Sequence, residues 1–497
     1  HHLFRELLRA ELARRVTPEA IGLLHVRASR WFEAQGLVEE AVQRAISGGS
    51  SGTAAQILER HRRAELDRDR WPDLKRWLTL LPAGTVEQRP GLLLARAWVL
   101  HYRHRHSDIA PVVEDLEKMI NAGKTLDPLS AAELKLFQGS VHFWAGRLEQ
   151  AREALLQAQE LATPSFASMA GLTQVYLALV GQMLGKRGAI LHTLHQRIRD
   201  AGQQPAKYQL NLATARGIVH LLCGDLYPAA DDGRWILQIA KGKDLAYLEC
   251  WGHYLAGNSL LRAGELEAAI PYFLASAAHR YVMYRRAAID AMAGLALAQG
   301  DLDAAARWAR SVEVGAVTPT LLFWLDNPVI TRARILVAAG SGEEVRQASE
   351  LLATLCTATE ALHNDCQRIE ILVLQSVAVD KLGHSDRALA VLEQVVGMAE
   401  RGGWIQSFVE VGTPMADLLQ RLVERTSRGS HVNRLIAALS GADSRTSETV
   451  ASAAAGSDTA LLAESLTARE TDILECLTQR LRNKEIARQL SISEETV

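Results

Sequence analysis

The chain has few aromatic residues and no cluster of cysteines. Aromatic side chains make up 5% of its 497 residues, while Ala and Leu dominate. Because strands are rich in aromatic and β-branched residues, this composition favours packed helices. The five cysteines are scattered, without a C-x-x-C pair or a histidine at zinc-ligand spacing. We therefore expect reduced, buried thiols in a cytoplasmic protein, and no disulfide framework.

An excess of one charge and a long apolar run are also missing. Lys and Arg number 55 and Asp and Glu 57, a net charge of −2, so any contact with DNA must be local. The most apolar stretch, residues 166–184, contains Thr173, Gln174 and Gln182. It predicts a buried helix rather than a membrane span. At this length we expect two or more folded units.

Signatures of catalysis and of bound cofactors are absent as well. Gly123-Lys124-Thr125 matches the end of a phosphate-binding loop, but Lys118 stands where that loop needs its first glycine. No Ser/His/Asp, Cys/His or paired-carboxylate arrangement stands out, so we expect no enzyme and no cofactor in this chain. His101, His104 and His106 could suggest a metal, but histidine runs of this kind in loops are usually solvated, and we expect no metal site.

What the chain does have is an internal repeat of about 40 residues. Glycines recur at spacings between 36 and 43 residues, each placed to end a helix in a left-handed turn. They are Gly146, Gly185, Gly224, Gly264, Gly300, Gly340 and Gly383. A small residue precedes each glycine by seven positions, where it lets a partner helix approach closely. These small residues are Gly139, Ala178, Gly217, Gly257, Ala293, Ala333 and Ser376.

The turns at Gly264 and Gly300 continue as Gly-Glu-Leu and Gly-Asp-Leu before an Ala-rich helix. These helix–turn–helix units resemble tetratricopeptide repeats, with a period nearer 40 than 34 residues. HEAT-like repeats are the structural alternative, and the turn sequences favour the tetratricopeptide interpretation. The resemblance implies an all-α fold: a helical region over residues 1–90, then a superhelix over residues 91–440 whose concave face binds an inducer or a protein partner.

In the tetratricopeptide register, four side chains on the concave side are candidates for ligand binding: Trp251, Tyr254, Asn258 and Arg334. An aromatic ring beside an amide suits a sugar or another small metabolite. The alternative is that Trp251 is ordinary packing and that Asn258 is a solvated polar position.

The end of the chain carries a second pattern. Thr467 and Glu470 form a capping box, and two short amphipathic helices and the start of a third follow. The string closely resembles the LuxR-type helix-turn-helix, with the alternative of a generic helix pair that caps the repeats. The matching residues are Leu466, Thr467, Arg469, Glu470, Asn483, Lys484, Glu485, Ile486, Ala487, Leu490, Ile492, Ser493, Thr496 and Val497.

The LuxR resemblance implies a DNA-binding module over residues 466–497, with its third helix in the major groove. Matching motif positions give the expected DNA-facing set: Arg469, Asn483, Lys484, Thr496 and Val497. Residues 441–465 have few large apolar side chains and read as a flexible linker. Because the motif stops at its third helix, we expect this module to be incomplete.

The opening HHLF-x-x-L-L, the segment Arg76 to Pro82 and the segment Arg89 to Trp98 resemble MalT-like regulators. We therefore expect an interior piece of a longer, cytoplasmic protein that has no membrane span. The resemblance implies ATP in a preceding domain, an inducer on the repeats, and self-association that presents the LuxR-type modules to promoter DNA and RNA polymerase. The alternative is a helical-repeat interaction scaffold without autonomous DNA binding.

Overall fold

The computed structural model describes residues 11–12, 14–163, 165–279, 281–312, 325, 327–361, 364–425 and 431–440. Helices joined by short turns make up these ranges, and no strand occurs within them. The all-α prediction is therefore confirmed. The chain divides into two units, residues 1–443 and residues 444–497, and the structure describes the first.

The helices of the described part are numbered here in chain order. The first eleven are α1 (Pro18–Ala34), α2 (Val38–Ser47), α3 (Ser51–Asp67), α4 (Trp71–Leu80), α5 (Pro90–Tyr102), α6 (Ile109–Asn121), α7 (Pro128–Trp144), α8 (Leu148–Leu161), α9 (Ala167–Met183), α10 (Arg187–Asp200) and α11 (Ala206–Cys223). The next eleven are α12 (Leu226–Ala240), α13 (Ala246–Arg262), α14 (Leu266–Ala277), α15 (Val282–Ala298), α16 (Leu302–Ser311), α17 (Pro328–Ala339), α18 (Gly342–Ala361), α19 (Asp365–Lys381), α20 (Ser385–Gly402), α21 (Gln406–Val409) and α22 (Thr413–Arg425).

From α7 onward the helices form pairs, and the first helix of each pair contacts the first helix of the next. These first helices, α7, α9, α11, α13, α15, α17 and α19, make an inner layer. The second helices of the pairs are less buried than the inner helices. For example, α9 has buried residues on nearly every side, whereas its partner α10 buries Leu194. A helix that is apolar on every side belongs in a core, so the inner layer is covered on both of its faces.

The repeat glycines behave as expected at six of the seven turns, where φ lies between 70° and 85°. The prediction of a left-handed turn is wrong at Gly340, which has φ −79° and ψ 155°. There the next helix starts at once: the Ser341 N–H donates to the Glu344 carboxylate at 2.8 Å in a capping box. An extended residue is enough to connect the two helices.

The small residues of the repeat do allow close approach. A Cβ atom added to Gly139 would lie 2.6 Å from Leu155 Cγ on the partner helix, and one added to Gly257 would lie 2.7 Å from the Phe273 ring. Real Cβ atoms do not tolerate such distances, so the absent side chain sets the spacing within these pairs.

The first helices of the chain pack directly onto the repeats. Arg62 of α3 donates two hydrogen bonds, of 2.5 and 2.6 Å, to the buried carboxylate of Glu133 on α7. Trp98 of α5 donates a third to the same carboxylate at 2.8 Å. Leu66 and Leu74 join the core that continues through the repeats. Within the described ranges, none of the helices combines the length and apolarity that crossing a bilayer requires.

The close approach at Gly139 predicts that Gly139→Ala lowers the free energy of unfolding by about 1–3 kcal/mol, because the added methyl group must push Leu155 or the helix backbone aside. Gly397→Ala is the matched control, since a Cβ atom there meets nothing within 4 Å. We expect the control to be neutral or to stabilise by about 0.5–1 kcal/mol. Urea unfolding followed by circular dichroism measures both, and equal effects would contradict the packing argument.

Candidate functional site

Three of the predicted ligand-binding residues lie together on α13 and are buried. Trp251, Tyr254 and Asn258 each expose less than 5% of their surface. The Trp251 ring meets Tyr254 and Tyr284 edge to face, with centroids 5.7 and 6.1 Å apart. The Asn258 amide donates to the Tyr254 carbonyl of its own helix at 3.1 Å. A ligand reaches these groups only if the inner layer opens, and their role in binding stays a prediction.

A turn near the start of the chain caps inner helices from far away in the sequence. The Asp67 carboxylate accepts from the backbone N–H groups of Ala167 and Ser168 at 3.1 and 2.7 Å, at the start of α9. Asp69 accepts from the Tyr247 N–H at 2.7 Å, at the start of α13. The N-cap positions of these helices are Phe166 and Leu245, which have no side-chain acceptor.

A buried lysine joins this turn to a third inner helix. Lys207 of α11 donates to the Leu66 carbonyl at 2.5 Å and to Asp69 at 3.3 Å. Asp69 has φ 61°, a left-handed conformation that Asp tolerates better than most residues. Asp67, Asp69 and Lys207 are called the clasp below. They join the ends of three successive repeats to one turn.

The ring of Trp71, which follows the clasp turn in the sequence, contacts two further parts of the fold. Trp71 stacks on Tyr102 of α5 and on Tyr281 beside α15, with both centroid distances 5.9 Å. Its ring N–H donates to the Tyr281 hydroxyl at 3.2 Å. The start of α4 is therefore held against a repeat more than two hundred residues later.

An open cleft of about 620 Å³ lies beside the clasp, within the size range of small-molecule sites. Its charged lining is mixed. The residues that carry charge are Asp67, Arg68, Arg70, Lys207, Lys243 and Asp244. This lining suits a polar ligand, and it does not select one sign of charge.

The expectation that His101, His104 and His106 are solvated is wrong. They expose 2%, 5% and 3% of their surface, because the turn after α5 folds inward against the repeats. His106 stacks on Trp144 with a centroid distance of 4.7 Å. Neither ring nitrogen of His106 has a hydrogen-bond partner among the described groups. The described residues contain no group of three His, Cys, Asp or Glu placed to hold a metal ion.

Burial keeps these imidazoles neutral. It lowers the pKa of His101 to about 3, with further contributions from His104 and Lys207, and it lowers the pKa of His104 to about 4. The pKa of His106 also lies well below its ordinary value, because of burial and then of the two neighbouring histidines. Protonation of these histidines therefore lowers the stability of the folded chain.

The predicted ligand residue Arg334 lies apart from the other three, on α17. It pairs with Glu370 at 2.5 Å and with Glu410 at 2.6 Å. Glu410 is the last residue of a segment that crosses the inner layer, residues 402–410, which is called the strap below. The strap begins where Gln182 donates to the Gly402 carbonyl at 2.7 Å. The carbonyl of Arg401 lies so near Gly185 that a Cβ atom there would be 2.4 Å away.

Sequence reasoning missed the clasp and the strap. The partners of Asp67 and Asp69 are 100 to 178 residues away, and no spacing rule connects them. The available signal was the run Asp67-Arg68-Asp69-Arg70, together with inner helices that lack a capping residue of their own. The predicted DNA-facing residues, Arg469, Asn483, Lys484, Thr496 and Val497, lie outside the described residues, as does the predicted linker.

Comparison with known proteins gives two matched regions. Residues 136–425 match the MalT-like TPR region, and residues 464–497 match the luxR family of bacterial regulatory proteins. The chain is 23% identical over 471 residues to the HTH-type transcriptional regulator MalT of Yersinia pestis (strain Pestoides F), which covers 85% of this chain and 52% of that protein. For the protein of the same description from Yersinia enterocolitica serotype O:8, identity is 28% over 154 residues, or 31% of this chain and 17% of that protein.

The chain thus spans about half the length of the first of these relatives. Among solved structures, yeast Tom70 overlaps 82% of this chain and 99% of its own, with 10% identity and a TM-score of 0.32.

The clasp predicts that Asp69→Asn lowers the free energy of unfolding by about 2–4 kcal/mol, because it leaves the buried Lys207 charge without its carboxylate. Asn keeps an acceptor for Tyr247 and tolerates the left-handed backbone, so the change isolates the charge. Asp231→Asn is the control, since Asp231 is exposed beside Arg234 and should change stability by less than about 0.5 kcal/mol. Urea unfolding compares the two, and an Asp69 effect no larger than the control would contradict the clasp.

The histidine cluster predicts acid sensitivity with a definite sign. Above the ordinary histidine pKa of 6.5 both folded and unfolded states hold neutral rings, and stability is complete. Below pH 6.5 these histidines bind protons in the unfolded chain but stay neutral in the folded chain. The free energy of unfolding therefore falls by up to about 1.4 kcal/mol per histidine per pH unit. This loss of stability continues as the pH falls toward the pKa values of His101 and His104 in the folded chain, about 3 and about 4.

His106→Phe keeps the stacking on Trp144 and removes one titrating group. We expect its melting temperature to equal or exceed that of the parent at pH 8, because two unpartnered ring nitrogens are gone. Between pH 6.5 and 5 it should fall less steeply than the parent. Thermal melts across this range are the measurement, and parallel curves would show that His106 is not a source of the acid sensitivity.

Proposed function

The chain belongs to the family of proteins with a MalT-like TPR region, and we propose that it is the sensor and part of the DNA-binding portion of a bacterial transcriptional regulator. The observation that carries the proposal is the order of two regions on one chain: repeats matched over residues 136–425, then the luxR match over residues 464–497. The division into residues 1–90, 91–440, 441–465 and 466–497 is part of the proposal.

The inner layer is the proposed sensing part. Trp251, Tyr254 and Asn258 share one helix, and an aromatic ring beside an amide suits a sugar or another small polar metabolite. These groups are buried, so binding there must be coupled to an opening of the layer. The cleft beside the clasp is open as it stands and offers a first contact. An extended segment of a protein partner is the other proposed occupant.

The module over residues 466–497 is the proposed output. The LuxR resemblance puts Lys484 at the expected start of a helix, where we propose that it contacts a DNA phosphate. Thr496 and Val497 would approach base edges or the methyl group of thymine, and Arg469 and Asn483 complete the set. We assign Thr467 and Glu470 to the proposed capping box rather than to the DNA-facing set.

Further proposals concern the protein over the full length of its relatives. We propose that ATP binds outside residues 1–497 and that self-association presents the LuxR-type modules to promoter DNA and RNA polymerase in the cytoplasm. A regulatory role, rather than a catalytic one, is proposed for the chain itself. The match to a family of bacterial regulatory proteins supports this choice.

The proposal predicts sequence-selective DNA binding by the full-length protein, with an affinity that falls as salt rises. Lys484→Ala should weaken binding to all sequences and reduce the slope of log K against log salt by about 1, because one phosphate contact is lost. Lys118→Ala, which removes an exposed lysine of α6, is the control and should change neither quantity. Fluorescence anisotropy with labelled promoter fragments measures both.

The same titration separates the rival function. A full-length protein without salt-sensitive, sequence-selective binding, with ATP and candidate inducers present, would contradict the regulator. The repeats would then be better described as an interaction scaffold without autonomous DNA binding. Equal effects of the Lys484 and Lys118 substitutions would remove Lys484 from the DNA-facing set and leave the regulator in place.

A further inference from the structure

The strap crosses the ends of successive inner helices in chain order. Its first residue, Gly402, accepts a hydrogen bond from Gln182 Nε2 at the end of α9, at 2.7 Å. Its middle lies at the turn after α11, where a Cβ atom added to Gly224 would be 3.5 Å from Gln406 Oε1. Its last residue pairs with arginines of α13 and α17. The surface of the inner layer that holds the strap is called the seat below.

Two aromatic side chains hold the strap in the seat. Trp404 exposes 4% of its surface and Phe408 none, and both belong to the core that runs through the repeats. The regular structure of the strap is a single helical turn, α21. A turn of this length is not stable by itself in water, so the strap takes its conformation from the seat. Away from the seat, Trp404 and Phe408 would need another apolar surface to cover them.

The seat has room for the strap because two repeat glycines lack side chains there. A Cβ atom added to Gly185 would lie 2.4 Å from the carbonyl oxygen of Arg401, directly before the strap. At Gly224 the nearest atoms belong to the strap itself. At the repeat glycines Gly264 and Gly300, by contrast, an added Cβ atom meets nothing within 4 Å. The seat is therefore shaped for one particular segment of polypeptide.

Glycines in the left-handed conformation lie near both ends of the strap. Gly403 follows α20 with φ 70°, and Gly412 precedes α22 with φ 70°. A Cβ atom added at either position meets nothing within 4 Å, so the backbone conformation, and not a lack of space, calls for glycine. A change of direction at Gly403 would move the strap and the chain behind it without a clash at this turn.

The contacts of the strap define what can occupy an empty seat. An occupant must bring two aromatic side chains four positions apart, together with a backbone carbonyl for Gln182. The strap of a second copy of this chain meets both requirements by identity. Exchange between two copies is also reciprocal, because each copy gives one strap and receives one. No apolar surface of a strap or a seat then stays exposed to water.

We propose that the seat binds the strap of a second copy of this chain, and that two copies self-associate by exchanging the segment that follows Gly403. This inference rests on the self-association in the proposed function and deepens it by naming the surface and its partner. The exchanged segment continues through α22 toward residues 464–497, which match the luxR family. Exchange therefore joins two copies ahead of their proposed output modules.

A disulfide distinguishes an exchanged strap from one in its own seat. A Cβ atom added to Gly224 would lie 4.0 Å from Ile405 Cβ, within the range found in disulfides. Full-length copies with Gly224→Cys and one tag are co-expressed with full-length copies that carry Ile405→Cys and another tag, and are then oxidised. Each copy holds one half of the pair, so exchange should give a covalent heterodimer. Gly300→Cys in place of Gly224→Cys is the control and should give none, with the native cysteines the same in both mixtures.

The second test alters the turn before the strap. The closed strap requires the left-handed conformation at Gly403, which Ala adopts only at a cost. A strap that leaves for a second copy has no need to turn back there. Gly403→Ala should therefore raise the association constant of the full-length protein by at least about tenfold in sedimentation equilibrium. Gly300→Ala strains a similar left-handed turn, with φ 79°, and should leave the constant unchanged.

Two outcomes overturn the proposal. If the paired cysteines give no more heterodimer than the control, the strap stays in its own seat, and a covalent adduct with an unrelated protein instead would assign the seat to another polypeptide. If the two alanine variants change association equally, the turn at Gly403 is not a hinge for exchange. Neither experiment uses DNA, so a failure of promoter binding would contradict the regulator without deciding the exchange.

Discussion

The inner helices α9 and α13 begin without capping groups of their own, and the packing of the neighbouring repeats depends on how that deficit is met. Backbone N–H groups at a helix start need acceptors, and the local residues Phe166 and Leu245 have none to offer. The carboxylates of Asp67 and Asp69 take this role, and Lys207 pairs with Asp69. One turn near the start of the chain thereby fixes the relative position of three repeats.

The fold was predictable where short-range rules apply. Glycine after a helix and a small residue seven positions earlier are local requirements, and both hold at most turns. Gly340 departs because Ser341 and Glu344 cap the next helix immediately, a competing local signal. The clasp, the strap and the buried histidines were not predictable, because each depends on a partner brought close by the completed array. His106 meets Trp144 only in that setting.

Prediction of the candidate site from the sequence was limited in the same way. The tetratricopeptide register placed Trp251, Tyr254 and Asn258 on one helix, and the structure keeps them on one helix. It could not foresee that these side chains are buried, because Trp251 packs edge to face against Tyr284 of the next inner helix. In the proposed sensor these candidate recognition groups lie inside the core. Under that proposal, ligand affinity includes the free energy of opening the inner layer.

The long reach of the clasp has a consequence for synthesis. Repeat arrays ordinarily fold by adding one unit to the next, because each unit contacts only its neighbours. Here the amide that Asp69 accepts from lies 178 residues further along. At ribosomal speeds the first helices would wait roughly 10 to 40 seconds for that partner to emerge. Until then Asp69 and the ring of Trp71 stand without their contacts, so the first helices complete their packing only after the repeats up to residue 281 have emerged, and they need protection while translation proceeds.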